Sequence, residues 1–315
     1  MTLTLPAAPR SKAQPGPGPT PEALLRALDL TVGRRIRGLI PGDFRAHDLG
    51  GGMELAQVRP YEPGDDVRRI DWNVTARMAV PHVRVHVPER AVTTWLLLDA
   101  SPSMTFGTAD RRKADVAEGV AVAIGHIATQ RGNRLGVITF GGQADHRTPP
   151  AGGRQGLLAA LLAARADTDA IGGAVTEPIG VRSPAASLRF LSAAAARGGL
   201  VVIVSDFRGP RDWHQALAPV AARSHVLAIE IRDPREDDLP DIGELTLVDA
   251  ETGREVRIDT SSRTLRDRFS QAAAGERSSL AAELRRLGAG HVLLSTSGSW
   301  LRSLAGQLRL QRIPS

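Results

Sequence analysis

The fold is indicated most clearly by an apolar run that ends in a polar loop, Thr94-Trp95-Leu96-Leu97-Leu98-Asp99-Ala100-Ser101-Pro102-Ser103-Met104. The near-continuous apolar part has the length of a strand and predicts burial on both faces of a parallel sheet. A carboxylate and two hydroxyls follow at the end of this strand. In open α/β sheets ligands bind at the carboxyl ends of the strands, so this loop is a candidate site.

Similar apolar runs recur toward the C-terminus and alternate with helical patterns, which is typical of parallel βαβ units. Buried strands are predicted at Thr94–Leu98, Leu135–Phe140, Leu200–Val204, Val226–Ile231 and His291–Leu294. Helices are predicted at about Arg111–Arg131, Gln155–Arg165, Ala185–Arg197, Asp212–Arg223, Arg263–Leu287 and Trp300–Leu308. Pro219 and Gly275 are expected to interrupt two of them. The pattern predicts an α/β fold with a mainly parallel sheet flanked by helices.

The first of these helices has a clear amphipathic pattern. Its apolar residues are spaced three or four apart and form one stripe, namely Val116, Val120, Ile124 and Ile127. Asp110 is expected to cap the start of the helix, because a carboxylate there accepts hydrogen bonds from the first backbone N–H groups.

Three segments are predicted from composition and pattern. Residues 1–20 are rich in Pro and Gly and are predicted to be a disordered tail. Residues 21–90 are expected to form an N-terminal helix at about Pro21–Arg37 and a small β-rich unit. Residues 91–315 are assigned to the sheet domain, with a β-hairpin inserted at about 240–260.

Composition excludes several classes of protein. The chain has no cysteine, which removes thiolate metal sites and cysteine nucleophiles and favours a cytoplasmic location. No apolar run approaches the ~20 residues that cross a bilayer, so no membrane span is expected. The net charge is +6, but acidic residues are interleaved with the arginines and aromatics make up 3% of the chain. We therefore expect no nucleic-acid partner.

Polar side chains follow two of the predicted buried strands. Asp99, Ser101 and Ser103 follow the first, and Asp206 comes just after Leu200–Val204. An all-oxygen set of this kind favours a hard cation such as Mg²⁺ over zinc or copper. The alternative is that Asp99 and Asp206 simply cap the helices that follow them.

Two motifs resemble known families. Asp99-x-Ser101-x-Ser103 together with Asp206 resembles the metal-ion-dependent adhesion site of von Willebrand factor A domains. A longer stretch, Arg59-Pro60-Tyr61-Glu62-Pro63-Gly64-Asp65-Asp66-Val67-Arg68-Arg69-Ile70-Asp71-Trp72, is similar to the signature of the bacterial domain of unknown function family numbered fifty-eight. The resemblance runs from about residue 45 to the end. It implies a von Willebrand factor A-like, six-stranded sheet with a β-rich addition.

The resemblance also implies a set of metal ligands. Ser101 and Ser103 would bind the cation directly, and Asp99 and Asp206 largely through water. The fifth ligand in the family is a threonine; here the equivalent place is taken by Ser183, with Thr176 in reserve. The expected cofactor is Mg²⁺, with Mn²⁺ and Ca²⁺ as alternatives. In the signature itself, the turn around Asp65 and Asp66 is expected to make turn hydrogen bonds and ion pairs that pin the β-rich unit to the sheet domain, with a docking surface as the alternative. Trp72 is expected to be a packing residue.

The predicted function is that of a non-enzymatic, metal-dependent protein-binding module. The resemblance implies a cytoplasmic adaptor that works beside a MoxR-type AAA ATPase or that ATPase's client. No Gly-x-x-x-x-Gly-Lys loop is present, so ATP hydrolysis by this chain is not expected. Two alternatives stay open: an Mg²⁺-dependent hydrolase or phosphatase that uses Asp99, and a scaffold whose metal site is degraded.

Overall fold

The computed structural model describes residues 3–4, 55–86, 92–130, 132–142, 146–170, 183–195, 199–209, 211–250 and 253–310. The strands in this part of the chain are β1 (Leu3–Thr4), β2 (Leu55–Pro60), β3 (His82–His86), β4 (Thr93–Asp99), β5 (Arg134–Phe140), β6 (Arg147–Gly152), β7 (Leu200–Ser205), β8 (His225–Arg232), β9 (Glu244–Asp249), β10 (Glu255–Asp259) and β11 (Gly290–Ser295). The helices are α1 (Trp72–Met78), α2 (Lys113–Ala128), α3 (Gly153–Ala170), α4 (Ala185–Ala194), α5 (Trp213–Ala221), α6 (Arg263–Arg286) and α7 (Trp300–Leu310).

The main sheet confirms the predicted fold class. Its strand order is β11-β8-β7-β4-β5-β6, with parallel pairing from β11 to β5 and an antiparallel edge strand β6. All five predicted strands are present, and each observed strand exceeds its predicted range by at most one residue at either end. Burial on both faces was wrong for β11, because this strand lies at the edge of the sheet and buries only Val292 and Leu294. The predicted hairpin is also present as β9 and β10.

The chain order reverses at β4. From this strand, β5 and β6 extend the sheet to one side, whereas β7, β8 and β11 extend it to the other. A reversal of this kind leaves a crevice at the carboxyl ends of the two neighbouring strands, which is where open α/β sheets bind ligands. Asp99 ends β4 and Asp206 follows β7, so both carboxylates flank this crevice.

Helices cover both faces of the sheet because the central strands are apolar on both sides. In β4, Leu96 and Leu98 pack into the core on one face, and Trp95 and Leu97 into the core on the other. The first face is covered by α2, α3 and α7, and the second by α4, α5 and α6. The amphipathic stripe predicted for α2 is buried in the first core.

The contact between α2 and α7 depends on a glycine. A Cβ added at Gly119 would lie 2.3 Å from Cζ2 of Trp300. We expect Gly119→Ala to lower the free energy of unfolding by about 1–3 kcal/mol, because overpacking outweighs the gain in helix propensity. Gly275→Ala in α6 is the matched control, since nothing lies within 4 Å of its added Cβ. It should stabilise by about 0.5–1 kcal/mol in urea unfolding. Equal changes in the two variants would contradict the packing argument.

Three local predictions were wrong. Helices α5 and α6 run through Pro219 and Gly275 without interruption. Pro219 lies in the last turn of α5, where one backbone hydrogen bond is lost while neighbouring Leu217 and Val220 remain buried. Asp110 does not cap α2; it accepts a hydrogen bond from Gly298 N at 2.6 Å.

The β-rich unit pairs β2 with β3 in antiparallel register and carries α1 between them. Its acidic turn makes hydrogen bonds and an ion pair within the unit itself, since Arg59 Nη2 donates to Asp65 Oδ1 at 2.7 Å and Asp66 accepts from Arg68 N. That such contacts hold the unit against the sheet domain stays a prediction. The packing role predicted for Trp72 was wrong. Trp72 is 70% exposed, because α1 lies on the surface and buries none of its residues.

Two further predictions fall partly outside the described residues. Leu3–Thr4 pair with β9 in antiparallel register, within the segment predicted as a disordered tail. Residues 5–54, with the helix predicted at Pro21–Arg37, lie outside the described part of the chain. In the ranges that the structure describes, no helix has the length and apolar character needed to cross a membrane.

Candidate metal centre

The candidate site forms where β4 and β7 end beside each other. The two strands are parallel, hydrogen-bonded neighbours, so Asp99 and Asp206 lie at the same edge of the sheet. The Ser205 hydroxyl, at the end of β7, donates a hydrogen bond to Asp99 Oδ2 and accepts one from Phe207 N at 2.9 Å. Phe207 has φ of +53°, a conformation that is rare for a non-glycine residue. The backbone after β7 is therefore strained where it presents Asp206.

The loop after β4 turns two serine hydroxyls toward each other. Ser101 N donates to Asp99 Oδ1 at 2.9 Å, and Pro102–Thr105 then forms a 3-10 turn. The hydroxyl oxygens of Ser101 and Ser103 are 3.0 Å apart. The Ser103 hydroxyl also hydrogen-bonds to the Asp206 carboxylate. Hydrogen bonds thus join four of the five predicted metal-binding residues, namely Asp99, Ser101, Ser103 and Asp206.

A glycine after β5 leaves room for this loop. Ala100 N donates to Phe140 O at 2.8 Å, which holds the loop against the end of β5. A Cβ on Gly141 would lie 3.0 Å from Asp99 Oδ1 and 3.1 Å from Ser101 N. Gly141 also has φ of +81°, which side chains disfavour. The close approach of the loop therefore requires glycine here.

Asp206 is held by a buried lysine that the sequence analysis missed. Lys113, the first residue of α2, is 0% exposed. Its Nζ donates to Asp206 Oδ2 at 2.5 Å and to Glu236 Oε1 at 2.7 Å. Burial alone would lower the pKa of Lys113, but the two carboxylates raise it above the usual value, so the ammonium stays charged.

Two features of the sequence could have identified Lys113. It lies three residues before Val116, which places it on the apolar stripe of α2. It is also one of just two lysines, with Lys12, in a chain that carries 40 lysines and arginines. A lysine on a buried face, in a chain that otherwise uses arginine, indicates a compact cation with a defined partner.

The charges of the site are unbalanced. Burial raises the pKa of Asp99 to about 7, and the negative charge of Asp206 adds to the rise. Burial would also raise the pKa of Asp206, but the Lys113 ammonium lowers it below the usual range. When ionised, Asp99 and Asp206 of the site and the neighbouring Glu236 bring three negative charges against the one positive charge of Lys113. A bound divalent cation would offset the remaining two.

The fifth predicted ligand is engaged elsewhere. The Ser183 hydroxyl donates to Asp212 Oδ1 and accepts from Ala185 N at 3.1 Å, which fixes it at the start of α4. The reserve candidate Thr176 lies outside the described residues. A role for either side chain as a ligand stays a prediction.

The geometry of the serine pair fits a small hard cation. Octahedral Mg²⁺ binds oxygen at about 2.1 Å, which places neighbouring ligand oxygens about 2.9–3.0 Å apart. The Ser101 and Ser103 hydroxyl oxygens are joined by a hydrogen bond of 3.0 Å, and a cation that replaced this bond could take both oxygens as neighbouring ligands without a large movement. Within the described ranges, no group of three or more His, Cys, Asp or Glu side chains is placed to hold a metal. A cation here would therefore depend on the serine hydroxyls, with Asp99 and Asp206 supplying negative charge.

Comparison with protein families and with individual sequences gave clear matches. The model of the family described as "Protein of unknown function DUF58" matches residues 57–279. An uncharacterized protein of Mycobacterium tuberculosis is 42% identical over 285 residues, which covers 90% of this chain and 87% of the relative. An uncharacterized protein of Mycobacterium avium is 43% identical over 138 residues, which covers 43% of this chain and 80% of the relative.

Comparison with solved structures gave distant matches. The conserved hypothetical protein BatB from Bacteroides thetaiotaomicron has 11% sequence identity and a TM-score of 0.42; the match covers 69% of this chain and 97% of BatB. The SpRpn10 VWA domain has 12% identity and a TM-score of 0.36, with 71% of this chain and 97% of that domain covered.

Proposed function

The chain belongs to the DUF58 family, and we propose that its von Willebrand factor A-like domain binds a partner protein through a divalent cation. The cation would be held by Ser101 and Ser103, with Asp99 and Asp206 acting largely through water. The observation that carries the proposal is the serine pair, 3.0 Å apart beside the buried carboxylate of Asp206 and the partly buried carboxylate of Asp99, at adjacent strand ends. A donor set made only of hydroxyl and carboxylate oxygens suits a hard divalent cation, with Mg²⁺ as the expected ion and Mn²⁺ and Ca²⁺ as alternatives.

The cation would supply a coordination position for an acidic side chain of the partner. A hard cation accepts a carboxylate readily, and a buried metal-carboxylate contact is specific because unpaired charge is costly to bury. The resemblance noted in the sequence makes a MoxR-type AAA ATPase, or that ATPase's client, our proposed partner. The protein would then act as an adaptor in the cytoplasm.

Binding is better supported than catalysis by the contacts of Asp99. A phosphatase of the aspartyl type would use this carboxylate as its nucleophile. Here Oδ1 accepts a hydrogen bond from Ser101 N and Oδ2 accepts one from the Ser205 hydroxyl. Both oxygens are thus engaged in holding the loop.

A scaffold with a degraded metal site is the competing function, and one observation favours it. Lys113 already places a positive charge on Asp206. If this ammonium fully replaced a metal, the domain would keep its loop geometry without binding a cation. The scaffold and the metal-dependent module therefore differ in one measurable property, the affinity for Mg²⁺ or Mn²⁺.

We expect calorimetric titration of Mg²⁺ and Mn²⁺ into the full chain to give saturable binding at one site. The Ser101→Ala, Ser103→Ala double variant should lose it, because both direct ligands are removed. Ser270→Ala, Ser278→Ala is the matched control, since these serines are exposed on α6, and it should bind like wild type. Capture of the partner should then be lost in EDTA and restored by Mg²⁺. Absence of saturable binding in wild type, or equal binding in both double variants, would reject the proposed function.

A further inference from the structure

Lys113 connects the candidate metal centre to a second, fixed carboxylate. Its ammonium lies between Asp206, after β7, and Glu236, after β8. The carboxylate of Glu236 is held in place, because its other oxygen accepts a hydrogen bond from Asp233 N at 2.9 Å. Glu236 is also buried. The positive charge of Lys113 is therefore shared between one carboxylate of the site and one outside it.

The position of this charge affects any cation that binds beside it. Asp206 receives the Lys113 ammonium on Oδ2 and a backbone N–H, from Arg208, on Oδ1. The ammonium keeps the buried carboxylate ionised and in place when no metal is bound. The same ammonium reduces the negative charge that Asp206 can offer to a second cation, since like charges in a buried site repel strongly.

We propose that the Lys113 ammonium is a built-in counter-ion, which keeps the metal centre assembled without metal and lowers its affinity for divalent cations by competing for Asp206. This inference rests on the proposed metal-binding function. Glu236 weakens this competition, because its carboxylate also pairs with the ammonium and so reduces the positive charge that acts on Asp206. Lys113 is thus a positioning residue that regulates the site without acting as a ligand.

The proposal predicts changes of opposite sign in two variants. Lys113→Met with Glu236→Gln removes one positive and one negative charge, so the total charge of the cluster is unchanged while Asp206 is released. Its affinity for Mn²⁺ and Mg²⁺ is expected to rise at least about tenfold. Glu236→Gln alone leaves the whole lysine charge to Asp206, and its affinity is expected to fall several-fold. A purely structural role for Lys113 would instead weaken binding in the double variant.

The test is calorimetric titration of Mg²⁺ and Mn²⁺ into wild type and both variants, after circular dichroism in EDTA shows which of them are folded. If the double variant does not fold, Lys113→Gln replaces it, because the amide can donate to both carboxylates without the charge. Unchanged or weaker binding in the folded double variant would overturn the inference, even if wild type binds metal.

The outcomes separate this inference from the proposed function. If wild type binds metal and the double variant binds it no more tightly, the proposed metal-binding function is supported and the proposed competition between Lys113 and the metal is rejected. If wild type binds none and the double variant does, Lys113 blocks the site, and the wild-type function is rejected while the competition holds. If neither binds metal, both are rejected.

Discussion

Replacing Lys113 with methionine is expected to lower the free energy of unfolding by about 3–5 kcal/mol. The change leaves Asp206 and Glu236 buried without the ammonium to which both are bonded, at 2.5 and 2.7 Å. Removing one partner of a buried ion pair costs more than the pair contributes, because an uncompensated charge remains in a medium of low polarity. Urea unfolding at neutral pH in EDTA measures the loss without interference from bound metal.

A matched control for this variant is Arg263→Met. Arg263 is also a cation at the first position of a helix, but its side chain is 88% exposed and lies 3.8 Å from Asp267. An exposed ion pair of this kind contributes little, so the control should change the free energy of unfolding by less than about 0.5 kcal/mol. A loss in Lys113→Met of under 1 kcal/mol would mean that the two carboxylates take up protons or water at little cost.

The sheet was largely predictable because its central strands are buried on both faces. Such strands need near-continuous apolar residues, and a run of this kind is visible without knowledge of the fold. The edge strand β6 was not predicted, because it lacks such an apolar run. It spans Arg147–Gly152, contains Pro149 and Pro150, and pairs on one side through β5. Proline is tolerated in an edge strand, but its presence removes the sequence signal of a strand.

The candidate site was predictable to the extent that it depends on the strand ends. Parallel strands place their carboxyl ends at one edge, so Asp99 and Asp206 could be expected near each other from the pattern alone. Lys113 could not be placed in the same way, because its partner Glu236 belongs to the turn after another strand, far along the chain. Hydropathy also assigns lysine to the surface, and only the register of the α2 stripe indicates otherwise. The error at Trp72 was the reverse of the one at Lys113: a large aromatic residue was expected to be buried and is exposed.

The loop before α2 is held by another buried carboxylate, that of Asp233, which directly follows β8. Its oxygens accept hydrogen bonds from Thr108 N and the Thr108 hydroxyl, from the Thr296 hydroxyl at 2.7 Å, and from Arg235 N at 2.9 Å. Thr108 belongs to the loop before α2 and Thr296 follows β11. One side chain therefore ties the loop before α2 to the ends of β8 and β11.

Asp233→Ala is expected to lower the free energy of unfolding by about 3 kcal/mol at pH 7, because it leaves the buried Thr296 hydroxyl and the partly buried donors of Thr108 without an acceptor. Asp241→Ala is the control: this carboxylate is exposed and pairs with Arg266 at 3.1 Å, and its loss should cost under about 1 kcal/mol. Urea unfolding of both variants against wild type measures these differences.

The pH dependence of the Asp233→Ala effect tests whether the ionised carboxylate is the stabilising form. Burial would raise the pKa of Asp233, but hydrogen bonds, first those from Thr108, lower it below the usual value. A carboxyl group whose pKa is lowered by folding stabilises the protein above its unfolded pKa, about 3.9, and this contribution is lost as the pH falls toward the folded pKa. The difference between wild type and variant should therefore stay constant near neutral pH and shrink below about pH 4. A difference that grows in acid would mean that the protonated carboxyl group holds the loops together.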